Sequence, residues 1–186
     1  MADFTDLTWT SPDGLTLHAR DYAPAVETDR LPVICLHGLT RNARDFEDVA
    51  PRIAAMGRRV LAVDFRGRGR SDKAHDPMSY VPPVYAGDIV ALLSQAAIPK
   101  ALFIGTSLGG LVTLILAAMA PQAVAGAVLN DVGPKLSPVG LKRIGGYVGL
   151  SSDVADWKGA AEYAKAINDA AFPDETPAFW DAFARR

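Results

Sequence analysis

Along the first 133 residues, short runs that are apolar at every position alternate with longer segments in which apolar residues recur every three or four positions. Continuous apolar runs suit strands covered on both faces, and the helical period suits the elements that cover them, so the pattern predicts a mostly parallel sheet flanked by helices. The strand candidates are Val33–Leu36, Arg59–Asp64, Ala101–Gly105 and Val124–Leu129. Helical periodicity occupies Ala43–Met56 and Val84–Ala97, with Gly57 and Pro99 as stop signals, while Ser107–Ala120 is apolar nearly all round, as a central helix would be. Ahead of these, Thr5–Thr10 and Leu15–Tyr22 flank the turn Ser11-Pro12-Asp13-Gly14 and predict an antiparallel hairpin. After Pro134 the texture changes. Gly140, Gly145, Gly146 and Gly149 lead into helical stretches at Val154–Ala171 and Pro177–Arg186, and no strand-like run appears. The expected organisation is an α/β core over residues 1–133 and a helical cap or lid over 134–186.

The chain has 186 residues, 49% of them hydrophobic, with 19 basic and 21 acidic side chains and a formal charge of −2. That balance fits a globular domain and gives no global attraction to nucleic acid or to an anionic membrane, so neither is expected as a partner. Met1-Ala2-Asp3-Phe4-Thr5-Asp6 is not a signal peptide, and no apolar stretch approaches the roughly 20 residues of a membrane span; the expected location is cytoplasmic. Cys35, the one cysteine, lies inside a strand candidate and reads as a buried structural thiol.

The segment Gly105-Thr106-Ser107-Leu108-Gly109-Gly110 sits where a strand gives way to a helix. A chain that turns from strand to helix within a residue or two strains the backbone at the apex and crowds its neighbours, and glycines at 105 and 109 remove the side chains that would collide. In this context G-x-S-x-G predicts a nucleophile elbow. Ser107 is the candidate catalytic residue, and Leu108 N–H, backed by the positive helix end, is a candidate oxyanion donor. His37-Gly38-Leu39-Thr40-Arg41-Asn42 follows a neighbouring strand; Leu39 N–H is the candidate for the second donor, and His37, Gly38 and Arg41 are candidate substrate contacts. Asp64–Asp72 interleaves Arg66, Arg68 and Arg70 with glycines, but acids at both ends favour a salt-bridged loop shaping a pocket over a nucleic-acid segment. No G-x-G-x-x-G leads from strand to helix there, which disfavours a dinucleotide site.

His37-Gly38, Asp64–Asp72, Gly105–Gly110 and Leu129-Asn130-Asp131-Val132-Gly133-Pro134, each following a strand in this order, resemble the α/β-hydrolase superfamily, most closely its lid-bearing, esterase-like bacterial members. The resemblance covers about Gly14 to Pro134 and, loosely, the helical tail. It implies a serine hydrolase with an oxyanion hole, a catalytic acid and a histidine base, needing no cofactor and no metal. A serine at the elbow favours cleavage of a small-molecule ester, lactone or thioester over the haloalkane and epoxide chemistry of relatives with a carboxylate nucleophile. Asp131 is the candidate acid, with turn formation by Asn130-Asp131 an equal account of it.

In this fold the triad runs serine, acid, histidine along the chain, yet no histidine follows Ser107 in these 186 residues. His18, His37 and His75 precede it, and His75 alone lies in a loop that could approach the site. The simplest expectation is an N-terminal portion of a hydrolase, little active by itself, with two C-terminal sheet strands and the base elsewhere. An exposed parallel edge would then invite self-association or a complementing C-terminal segment. The alternatives are a non-catalytic hydrolase-like module binding a small apolar ligand or a protein, and a C–C hydrolase or cofactor-free perhydrolase with the same motifs. Trp157, Phe172, Phe179 and Trp180 read first as packing and second as pocket walls.

Overall fold

The computed structural model describes residues 4–26, 28–133, 135–146, 154–169 and 172–185. The chain divides into two compact units, Met1–Pro134 and Lys135–Arg186. The first is built on six strands, β1 (Thr5–Thr10), β2 (Thr16–Tyr22), β3 (Val33–Leu36), β4 (Val60–Asp64), β5 (Ala101–Thr106) and β6 (Val124–Asn130), in the order β1-β2-β4-β3-β5-β6. The hairpin strand β2 pairs antiparallel with both β1 and β4, and every pair from β4 to β6 is parallel. A mostly parallel α/β sheet opened by an antiparallel hairpin is the architecture the apolar runs predict.

Alternation along the strands divides the core between the two faces. Ile34 and Leu36 of β3, Leu61 and Val63 of β4 and Phe103 of β5 pack with α2 (Pro82–Gln95) and α3 (Leu108–Met119) through Ile89, Leu92, Val112 and Leu116. Val33, Cys35, Val60 and Ala62 face the other way, toward Phe46 and toward Ala50 and Ala54 of α1 (Ala50–Ala55). Cys35 is fully buried, and burial pushes its thiol up to about 12, as suits a packing residue.

The one helix expected over Ala43–Met56 is instead a 3-10 turn, Ala43–Phe46, followed by α1. Loop acceptors claim the first amides: Asn42 caps Arg44 N–H, and an Asp64 carboxylate oxygen takes Ala43 N–H at 2.7 Å. Pro51, which has no N–H to give, then suits the opening turn of a new helix. α2 starts two residues earlier than its apolar period, because Pro82 and Pro83 occupy the turn where missing amides cost nothing. β6, whose apolar run reads as a buried strand, lies at the edge of this six-stranded sheet with Ala125, Ala127 and Val128 exposed.

The second unit contains α4 (Pro138–Gly145), α5 (Trp157–Asn168) and α6 (Pro177–Ala184). Side chains cap all three: Ser137 accepts from Gly140 N–H, Asp156 from Gly159 N–H and Thr176 from Phe179 N–H. α4 is not evident from periodicity, its glycines masking the Ser137-Pro138 start signal. Phe172, Phe179, Trp180 and Phe183 form one ring cluster with centroids 5.1–6.3 Å apart, and Arg185 lies 4.6 Å over the exposed Trp157 ring. Pro134, Gly149, the expected helix end at Ala171 and Arg186 lie outside the described residues.

Candidate active site

The strand order places the chemistry. From β3 the chain crosses to β4 on one side, whereas from β5 it crosses to β6 on the other, so the winding reverses between β3 and β5, and in open α/β sheets ligands bind outside the carboxyl ends of the strands at such a reversal. Register brings the ends level, with Leu36 opposite Gly105 and Thr106 opposite Asn130. The loop after β3, Ser107 after β5 and Asp131 after β6 therefore emerge side by side.

Ser107 adopts φ +50° and ψ −110°, a conformation that L-residues avoid, between the last residue of β5 and the first of α3. Its own N–H is tied to Asn130 O at 2.9 Å, and its carbonyl accepts from Gly110 and Leu111 N–H. The glycines are there for contact rather than for φ. A Cβ on Gly105 would lie 2.5 Å from Gly109 O, and one on Gly109 would collide with Leu36 O. Gly105→Ala is accordingly expected to cost about 3 kcal/mol in urea unfolding, since the obstruction is backbone. Gly87→Ala on α2, where nothing lies within 4 Å, is the control and should stabilise by about 0.5–1 kcal/mol.

The side chain of Ser107 is half-buried, neither packed away nor fully exposed. Of the first three amides of α3, Gly109 N–H donates to His37 O at 3.1 Å and Gly110 N–H to Ser107 O, leaving Leu108 N–H without an acceptor among the described residues. Leu39 N–H is likewise unclaimed among them. Gly38 lies alongside the elbow: a Cβ built on it would be 3.8 Å from Ser107 Cβ and 3.9 Å from Thr106 O.

His37 is 0% exposed and holds this loop in place. Phe65 N–H donates to its Nε2 at 3.2 Å, and its Nδ1 is 2.6 Å from Gly38 O, which can only accept. The ring is thus the neutral Nδ1–H tautomer, and burial pushes its pKa down to about 4. Gly38 C=O and Leu39 N–H belong to one trans peptide unit, so anchoring the carbonyl on the imidazole turns the N–H away from it. His37, expected as a substrate contact, is instead buried with both ring nitrogens engaged within the protein. Arg41 is also committed, its Nε reaching Asp45 at 2.9 and 3.1 Å and its Nη2 at 2.7 Å.

Asp131 is exposed at φ +53°, one residue beyond the carbonyl that receives Ser107 N–H, and its side chain has no hydrogen-bond partner among the described residues. His75 is exposed. His18 is buried between carboxylates, Nδ1 to Asp64 at 2.7 Å and Nε2 to Asp6 at 2.8 Å, so neither it nor His37 has a ring nitrogen to spare.

Asp64, missed as a functional position from sequence, ties the site's loops together. Its carboxylate takes His18, Ala43 N–H and Arg70 N–H, and Gly69 closes against it so tightly that a Cβ there would collide. A lone acid ending a buried strand, just before a glycine-rich loop, was the available signal. Burial alone would raise its pKa, but the His18 hydrogen bond and the two amides outweigh burial and lower it. For His18, burial acts downward and the two carboxylates prevail, so its pKa rises above 6.5. The charged pair then stabilises the fold fully below the unfolded histidine value and loses that contribution as pH climbs through the raised one. On the acid side, Asp64's contribution disappears as pH falls below 3.8 through its lowered value. In urea unfolding, the stability gap between wild type and His18→Gln should be widest near pH 5 and narrow toward pH 9.

Residues 32–175 match the profile of the alpha/beta hydrolase fold, well over half of the chain, and the chain belongs to that family. It is 50% identical to a solved alpha/beta hydrolase from Novosphingobium aromaticivorans, with a TM-score of 0.92 over 100% of this chain and 64% of that one. It is 40% identical over 148 residues to the 3-hydroxybutyrate-oligomer hydrolase of Cupriavidus necator, covering 80% of this chain and 50% of that protein. Over 102 residues it is 39% identical to the esterase Rv0045c of Mycobacterium tuberculosis, covering 55% of this chain and 33% of the relative. The chain thus spans half or less of these two curated relatives and about two thirds of the solved one. Hydrolase and esterase relatives make it a hydrolase-family chain. None of its described helices is long and apolar enough to cross a membrane.

Proposed function

We propose that this chain carries the nucleophile and oxyanion hole of a serine-dependent carboxylic-ester hydrolase. The observation that supports it most is Ser107 in a strained apex conformation with two amides, Leu39 N–H and Leu108 N–H, that have no acceptor among the described residues, on the flanking loop and helix. Ser107 Oγ attacks the ester carbonyl, the two amides receive the developing oxyanion, the alcohol leaves, and water releases the acid from the acyl-serine. Asp131 is the acid in this scheme. The base is a histidine from polypeptide outside the 186 residues, because His18 and His37 are locked in internal hydrogen bonds and His75 precedes the serine. The named activity of the Cupriavidus relative favours esters of short hydroxy acids as the substrate class.

Treating the intact gene product with a fluorophosphonate and mapping the adduct by mass spectrometry tests the assignment. Modification is expected on Ser107. An adduct on another residue, or none while ester turnover proceeds, would overturn it.

A further inference from the structure

Four arginines crowd the loops at the carboxyl edge of the sheet, and three have carboxylate partners. Arg66 pairs with Asp13 and Asp88, Arg70 with Asp6, and Arg41 with Asp45. Arg68 differs. It is half-buried and has no carboxylate partner among the described residues. Its Nε donates to Leu39 O at 2.9 Å and its Nη1 to Gly67 O at 3.1 Å, so two of the five guanidinium N–H groups are used, both on backbone carbonyls. Nη2 and one hydrogen of Nη1 remain.

Removing a guanidinium from bulk water without a counter-charge is unfavourable, and the planar edge left open matches the two oxygens of a carboxylate. Position supplies the rest. The group is pinned to Leu39 O, and Leu39 follows Gly38, which lies against Ser107, so the guanidinium is held on the loop that borders the serine.

We propose that Arg68 is a specificity residue that docks a carboxylate of the substrate, so that the preferred esters are anionic. This rests on the ester-hydrolase assignment for Ser107, and it adds the charge of the substrate.

The test compares 4-nitrophenyl hydrogen glutarate with neutral 4-nitrophenyl pentanoate in the intact gene product, as wild type, Arg68→Gln and Arg68→Lys. Freeing Leu39 O affects both esters alike, so the ratio of their kcat/KM values isolates the charge. Wild type is expected to favour the anionic ester by 10-fold or more, chiefly in KM. Arg68→Gln should bring the ratio close to one, and Arg68→Lys should retain part of it. A ratio unchanged in Arg68→Gln, or an equal fall in kcat on both esters, would overturn the proposal and leave Arg68 as a peg for the Leu39 loop. A second arm needs no turnover: calorimetric binding of glutarate to Ser107→Ala should weaken at least 10-fold when Arg68→Gln is added, and equal affinity would also overturn it. Failure of the fluorophosphonate experiment with success in this arm would sink the esterase assignment and keep the carboxylate site.

Discussion

Replacing Ser107 with alanine in the intact gene product is expected to lower ester turnover by about 10⁴–10⁶-fold and to abolish fluorophosphonate labelling, with little change in stability. Alanine keeps the Cβ and therefore the same strain at φ +50°; it removes only the hydroxyl, whose surroundings are half open. A neutral structural serine would behave oppositely, costing stability if its hydroxyl were bonded and sparing activity. Ser107→Gly separates the two roles further. Glycine is at ease at positive φ, so this variant should lose activity as completely as alanine while gaining about 1 kcal/mol of stability, the strain being a cost carried for the exposed hydroxyl. Unfolding in urea together with initial rates on a 4-nitrophenyl ester reads both quantities. A Ser107→Ala protein that keeps more than a tenth of the wild-type rate would end the case for Ser107 as nucleophile.

The elbow was legible because sterics dictate it residue by residue: Gly105 and Gly109 stand where any Cβ would strike backbone, and no other residue type would serve. The strands were legible for a similar reason, since a run such as Val60–Asp64, buried at every position, has only one kind of place in an α/β fold. What periodicity could not reveal was which polar groups had already found partners. Arg41 looked available beside Gly38, although Asp45 lies four positions on, a spacing at which two such side chains meet on a helical turn. His37 looked like a ligand contact, and only the approach of β4 through Phe65 N–H turns it into a buried loop anchor. The pairing of His18 with Asp64 joins residues 46 positions apart, beyond any local signal. Edge position is equally non-local: β6 reads as a core strand, and its exposure depends on what neighbours it in the sheet rather than on its own residues. The Asp64–Asp72 loop shows both sides. Its mixed charge announced salt bridges, but these run to Asp6, Asp13 and Asp88 outside the loop rather than to its own acids, and the choice of Arg68 as the arginine of the loop without one depended on the fold.

Arg66→Met is expected to be the most destabilising of the charge substitutions, by about 3–5 kcal/mol in urea unfolding. The Arg66 side chain is 1% exposed and makes two bonds to Asp88, at 2.6 and 2.8 Å, and two to Asp13, at 2.8 and 3.0 Å. The two acids are not equivalent. Asp88 is 2% exposed, so losing the guanidinium strands a carboxylate in the interior of α2, whereas Asp13 is half exposed and water takes over its solvation. Asp13→Asn should therefore cost under about 1 kcal/mol, even though Arg66 holds the Asp13 carboxyl down to about 2. If the stranded charge is the cause, removing it should restore the fold: Arg66→Met with Asp88→Leu is expected to recover most of the loss, because a packed apolar pair can replace a buried ion pair at little cost. Recovery in the double variant would locate the penalty in Asp88 rather than in the shape of the Arg66 side chain. A single-variant loss below 1 kcal/mol would mean that water reaches Asp88 and that the loop is not clamped from beneath. The clamp matters for the site because Arg66 lies two residues from Arg68 and one from Phe65, whose N–H holds His37. A double variant that regains stability but not the preference for an anionic ester would show that the buried pair sets the loop's position as well as its stability.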